Sequence, residues 1–231
     1  MAINMDIELE KHRARVREIQ AEFAARGDTM GWFDALYQEA AGDNGVIPWA
    51  DLEPNAYFRK WADANGLSGE GRKALVVGCG LGDDARYLHD LGFKVTAFDI
   101  SPTAIEWARR LHTDTNIVFE TCDLFQPFRG WVGGFDLVLE IYTIQPLPLE
   151  MRPQVVDAIS GFVKEGGRIV VVTRGREDDV EPDEMPWPMS RRDLSRFEDN
   201  GLTRTDFVIM PGEEGEPPRF VVEYVGSADT V

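Results

Sequence analysis

Residues 74–99 read ALVVGCGLGDDARYLHDLGFKVTAFD, and this stretch decides the fold. Ala74 to Val77 is an apolar run short enough for a buried strand. It enters a glycine turn, Gly78-Cys79-Gly80-Leu81-Gly82. Asp83 to Leu91 then carries helical periodicity, and Val95 to Phe98 is a second apolar strand that ends on an acid, Asp99. Strand, glycine turn, helix and strand make a βαβ unit, and an acid closing the second strand suits a nucleoside.

The spacing of the glycines narrows the ligand. A dinucleotide fingerprint is G-x-G-x-x-G, with its helix N-terminus facing a pyrophosphate. Here the pattern is G-x-G-x-G, and Asp83 stands where the third glycine would be, followed by Asp84. Two carboxylates at a helix N-terminus suit the helix dipole but repel a pyrophosphate. A ligand with a cationic centre and no phosphate, such as S-adenosylmethionine, fits better. No G-x-x-x-x-G-K-[ST] occurs, so no P-loop is expected. Asp99 lies 17 residues past Gly82 and can accept from both ribose hydroxyls. It could instead cap the next helix, but Ser101-Pro102 is suited to that task. Asp123, after the third strand, can accept from an adenine amino group while Leu124 packs on the ring; the alternative is a loop acid in water.

Outward from this unit the chain alternates. Strands are expected at Ala74–Val77, Val95–Phe98, Ile117–Phe119, Phe135–Leu139 and Arg168–Val172, and helices at Asp83–Leu91, Pro102–Leu111, Leu149–Val163 and Ser190–Asn200. Such alternation predicts an α/β fold, a Rossmann-like doubly wound sheet. Thr205–Met210 and Phe220–Val225 flank PGEEGEPPR with no helix between, which predicts a C-terminal hairpin and an antiparallel strand near the sheet edge. Before the sheet, Asp6–Arg26 has Leu9, Val16, Ile19 and Phe23 at helical spacing, Trp32–Ala41 is aromatic-rich, and Pro54 can start a third helix to about Asn65. The chain divides into an N-terminal helical cap, residues 1–66, and a sheet domain, residues 71–231. The acidic loop Glu177–Pro188 is expected to be mobile.

Composition excludes several classes. With 41 acids against 24 bases the net charge is −17, which repels nucleic acid and anionic membranes. Two cysteines and three histidines support neither a disulfide framework nor a metal site. No apolar run is long enough for a membrane span and no secretory leader is evident. A cytoplasmic protein, monomer or homodimer, is expected.

Gly78-Cys79-Gly80-Leu81-Gly82, Asp99, Asp123 and Phe135-Asp136-Leu137-Val138 together resemble the ordered motifs of class I S-adenosylmethionine-dependent methyltransferases, from about Lys73 onward. The resemblance implies seven strands with the last antiparallel. It also implies a cofactor over the carboxyl ends of the first strands, touched by Gly78, Cys79, Gly80, Asp99, Ile100, Asp123 and Leu124. The N-terminal part, Trp32, Tyr37, Pro48-Trp49 and Pro54, resembles the thiopurine S-methyltransferase-like branch, which includes thiol and halide methyltransferases. There a tryptophan-bearing segment closes over the cofactor, so Trp32 and Trp49 join the expected contacts. Cys79-Gly80 and the segment Pro146 to Arg152 also fit that branch. Thiopurine-type members carry Asp-Arg after the fourth strand, whereas this chain has Glu140-Ile141, so that arginine's contacts do not transfer. Glu140 can still accept from the methionine ammonium.

Transfer to a small-molecule acceptor, a thiol or another soft nucleophile, is the function so implied, with S-adenosylhomocysteine as product. A thiol of pKa ~8.5 is partly ionised at neutral pH, so no strong base is needed. The three histidines lie outside the motif loops. Tyr37, Tyr142 and Trp187 are candidates for the acceptor side, although aromatics at helical spacing are often core. Cys79 and Cys122 read as buried, unreactive thiols. Transfer to an O or N nucleophile, and a non-catalytic cofactor-binding module, remain as alternatives. A DNA amino-methyltransferase is disfavoured by Glu140-Ile141-Tyr142-Thr143, and a nicotinamide oxidoreductase by Asp83.

Overall fold

A computed structural model describes residues 2–182, 185–213 and 215–227, with side chains from residue 11 onward. Leu9, expected on the first helix's apolar stripe, lies outside the described side chains. Three helices, α1 (Ala2–Ala24), α2 (Gly31–Ala40) and α3 (Ala56–Ala64), precede the sheet. Then follow β1 (Lys73–Val77), α4 (Asp83–Asp90), β2 (Lys94–Asp99), α5 (Pro102–Leu111), β3 (Val118–Thr121) and β4 (Phe135–Ile141). The chain continues as α6 (Arg152–Ser160), β5 (Val163–Arg174), two short helices, α7 (Arg191–Leu194) and α8 (Arg196–Asp199), β6 (Leu202–Met210) and β7 (Arg219–Gly226).

The seven strands lie in the order β3-β2-β1-β4-β5-β7-β6. Parallel pairing joins β3, β2, β1, β4 and β5, while β7 runs antiparallel to both β5 and β6. The hairpin expectation holds: β7 is the reversed strand, one place in from the edge that β6 forms. Strand order reverses between β1 and β4, and in open α/β sheets that switch point is where the carboxyl ends leave a crevice.

Side chains alternate across the sheet as the pleat requires. Leu75, Val77, Val138, Ile169 and Val171 face one layer, with Val155 and Ile159 of α6 and Phe197 of α8. Ala74, Val76, Leu139, Val170 and Val172 face the other, with Ala85 and Leu88 of α4, Ile105 of α5, and Phe58 and Trp61 of α3. Helix α3 thus belongs to the sheet's own helical layer. Its N-cap is Asn55, which accepts from Tyr57 N and Phe58 N. A third cluster joins Val16 and Ile19 of α1 and Trp32, Leu36 and Tyr37 of α2 to Leu81 in the glycine turn and to Ala104 and Trp107 of α5.

Several boundaries differ from expectation. The helix expected at Leu149–Val163 is a 3-10 turn, Leu149–Met151, followed by α6, and Val163 already belongs to β5. The early part of β5 escaped notice because Lys164-Glu165-Gly166-Gly167 is polar and glycine-rich; the ladder shifts register there, between Phe135 and Leu137 of β4. The helix expected at Ser190–Asn200 is α7 plus α8. Strand β6 starts at Leu202, three residues before Thr205. Among the described residues no helix is long and apolar enough to cross a membrane.

Candidate functional site

The carboxyl ends of β1, β2, β3 and β4 converge on the glycine turn. Gly78 has φ +59°, and a Cβ there would lie 2.5 Å from the Thr143 hydroxyl; Gly80 has φ +52°, with the Tyr37 hydroxyl 3.0 Å from any Cβ. Both positions demand glycine twice over, by backbone and by space. Thr143 crosses the turn, donating its hydroxyl to Val77 O at 3.0 Å.

Asp99, 8% exposed, fastens this turn. One carboxylate oxygen accepts from Gly80 N at 2.9 Å and the other from Ser101 N at 2.9 Å. Ile100 N–H also acts on this carboxylate, which with about four lone-pair sites keeps some acceptor capacity. Burial raises its pKa, opposed by those backbone donors. Ser101 does cap α5, accepting from Ala104 N, as the sequence suggested. Its hydroxyl also donates to Asp34 of α2 at 2.6 Å, and Asp34 accepts from Thr103 N at 3.0 Å. Asp34 therefore latches the N-terminal helices to the start of α5. Sequence reasoning missed it, because an acid in an amphipathic helix reads as solvated surface. It missed His112 likewise: this ring reaches Leu81 O at 2.9 Å and stacks on Phe119. That corrects the placing of all three histidines away from the motif loops, since the end of α5 folds back onto the turn.

Carboxylates crowd the site. Asp84, in the first turn of α4, accepts from Asn55 N at 2.8 Å, and burial pushes it up to about 7. Burial also raises Asp83. Glu140 is wholly buried; Oε1 accepts from Thr143 N at 2.7 Å and Ile144 N at 3.1 Å, while Oε2 has no partner. Burial pushes Glu140 up to about 7. Asp123, half-buried after β3, spends its oxygens on Phe125 N and the Gln126 side chain. Leu124 and Cys122 are buried in the sheet core, and Ile100 is half-buried beside Asp99. Burial, with Asp99 second, pushes the Cys79 thiol well up. Burial raises the Cys122 thiol as well.

Of the expected aromatic residues, Trp32, Tyr37 and Trp49 come together beside the turn, whereas Tyr142 and Trp187 stand apart from them. Trp49 donates from its indole nitrogen to the Tyr37 hydroxyl at 2.9 Å, and packs edge-on against Trp32 and Tyr37. Trp32 is 1% exposed and stacks on Phe33, yet its indole N–H has no partner. Trp49 is 41% exposed. Tyr142, beyond β4, has φ +57° and accepts from Arg219 Nε at 3.0 Å. Trp187 is held by its backbone: its N–H donates to Gln145 O, and its carbonyl accepts from the Gln145 and Arg152 side chains.

Residues 74–167 match the family model described as a methyltransferase domain. The 2-heptyl-1-hydroxyquinolin-4(1H)-one methyltransferase of Mycobacteroides abscessus is 25% identical over 150 residues, 64% of this chain and 64% of that protein. The thiopurine S-methyltransferase of Aliivibrio salmonicida is 29% identical over 168 residues, covering 59% of this chain and 77% of that one. The chain thus spans 64% of the first relative's length. The crystal structure of the N-methyltransferase NodS from Bradyrhizobium japonicum, in complex with S-adenosyl-L-homocysteine, superposes with a TM-score of 0.64. It covers 83% of this chain and 96% of that one at 17% identity, a likeness of fold.

Proposed function

We propose that this chain, whose residues 74–167 match the methyltransferase-domain model, transfers a methyl group from S-adenosylmethionine to a small-molecule acceptor. The observation that carries the reading is the pair Asp83 and Asp84, held against burial in the first turn of α4. A pyrophosphate there would meet two carboxylates. A ligand that presents cationic centres and an adenosine meets a matching field.

The residues present fit that cofactor. The glycine turn lies close under Thr143 and Tyr37, where a Cβ would collide with them. Glu140 Oε2, buried and unpartnered, is an acceptor awaiting a donor, and an ammonium supplies one. The free lone pairs of Asp99 suit the ribose diol, Asp123 and Leu124 suit the adenine, and Ile100 flanks both. When bound, S-adenosylmethionine supplies a methyl group activated on a sulfonium. Because that group leaves readily, the protein's task is alignment and exclusion of water. Helices α1 and α2 and the loop to Trp49 serve as the cap, with Asp34 as its latch. Trp49 and Tyr37 offer π-faces to a cation, worth about 0.5–2 kcal/mol. Tyr142 and Trp187 flank the acceptor side. A thiol or other soft nucleophile is the acceptor that needs least help with its proton, and no nucleic acid is involved.

Isothermal titration with S-adenosylhomocysteine and with NAD tests the reading. Saturable binding of the first and none of the second is expected; no binding of S-adenosylhomocysteine at millimolar concentration would overturn it.

A further inference from the structure

Strands β2, β1, β4 and β5 lie side by side and parallel. Their carboxyl ends face the glycine turn, and their amino ends meet at the opposite rim of the sheet. Cations concentrate at that rim. Lys73 opens β1, Lys94 opens β2, Lys164 is the second residue of β5, and Arg72 immediately precedes β1. With Glu70 and Asp136 these four cations line an open cavity of about 440 Å³.

The charges there are unevenly matched. Asp136 is engaged: its carboxylate accepts from Lys73 N at 2.8 Å and pairs with the Lys164 ammonium. Burial raises its pKa, but Lys164 and the Lys73 N–H, with Arg72 beyond them, hold it below the ordinary value. Arg72 donates from Nε to Gly69 O at 3.1 Å and also reaches Ser68 O, which fixes its guanidinium on the rim. Lys73 and Lys94 have no such anchor. They are register partners on adjacent strands, and both are exposed. Among the described residues no acid stands within ion-pair distance of either ammonium. Like charges side by side on neighbouring strands are destabilising. The chain has 41 acids against 24 bases, so a counter-ion was available to the fold, yet none is placed here. A local rule broken in this way marks a place that serves a ligand.

We infer that this cavity is an anion site, separate from the cofactor crevice, and that its ligand is a small, charge-dense polyphosphate. The lining sets the class. Lysine ammoniums are compact, mobile point charges that suit phosphate, whereas planar carboxylates favour guanidinium forks. The cavity is lined by no aromatic or aliphatic side chain, so neither a stacked base nor an apolar body gains from it. A nucleic acid would run from the cavity onto the surface of a chain at −17, which repels its further phosphates. A short polyphosphate keeps its whole charge beside Lys73 and Lys94.

Calorimetric titration of inorganic pyrophosphate into the full chain, at low salt and pH 8, tests the inference. Saturable binding with a dissociation constant below about 1 mM is expected. Lys73→Gln/Lys94→Gln should weaken it at least about tenfold. The bond from the residue 73 N–H to Asp136 survives that change, and relief of the like-charge pair should leave the melting temperature unchanged or raised. Lys60→Gln/Arg110→Gln removes the same charge from exposed positions on α3 and α5 outside the cavity lining. That variant should weaken pyrophosphate by less than about twofold. Acetylation of the wild-type chain, followed by mass spectrometry, gives a reading without substitution: pyrophosphate should slow modification at Lys73 and Lys94 but not at Lys60. Absence of saturable binding, equal loss in the two double variants, or equal acetylation at all three lysines would overturn the inference. None of these results bears on the cofactor crevice, whose own test is the binding of S-adenosylhomocysteine.

Discussion

At the scale of single residues, the site is a set of acids held in unfavourable surroundings. Glu140 is the clearest case. Burial places its pKa at about 7, above an ordinary 4.5. The folded state therefore prefers it protonated. Its penalty on folding is complete above about pH 7 and fades as pH falls toward 4.5. Glu140→Gln should thus stabilise the cofactor-free protein at pH 8 by up to about 3 kcal/mol, with the gain shrinking at pH 5. Urea unfolding at the two pH values checks this. The same variant should bind S-adenosylmethionine more weakly, since a cationic ammonium loses its anion. Unchanged stability at both pH values would show that Glu140 is not held as described. Asp99→Ala should weaken S-adenosylhomocysteine binding by about 1–3 kcal/mol in titration, because Asp99 both fastens Gly80 and offers acceptors.

At the scale of elements, the glycine turn is fixed from outside itself. Asp34 of α2 accepts from Ser101 and Thr103 at the head of α5. Asp34→Ala leaves those donors without their acceptor and should cost about 1–3 kcal/mol. Limited proteolysis should then cut preferentially between α1 and α3; uniform protection would argue against the latch. The turn, α4 and β2 were legible in the sequence because their signals are local: an apolar run, a glycine pattern, a capping Ser-Pro. The latch was not legible, since Asp34 and Ser101 are 67 residues apart. Nor was the grip of Arg219 on Tyr142, across 77 residues, or the return of His112 to Leu81, across 31. Contacts of that separation are set by how strands are ordered in the sheet, and no periodicity in the chain encodes them. The broken helix at Ser195 and the polar opening of β5 escaped for a related reason, because tertiary pairing overrode weak local preference.

At the scale of the whole molecule, two layers of helices bury both faces of a mostly parallel sheet, and the strand-order reversal at β1 and β4 leaves a crevice at the carboxyl ends. The N-terminal helices pack against the glycine turn and α5 through a shared apolar cluster with Leu81 and Trp107. Charge divides along the strands. Acids gather around the glycine turn, and lysines at the amino ends of β1 and β2. The acids at the turn make that end of the crevice the proposed seat of S-adenosylmethionine. The most direct measurement is a calorimetric titration of S-adenosylhomocysteine into the wild-type chain and into Asp99→Ala at pH 8. Micromolar binding, weakened at least about fivefold by the substitution, is predicted. Absence of binding to the wild-type chain, or equal affinity in the two proteins, would contradict it.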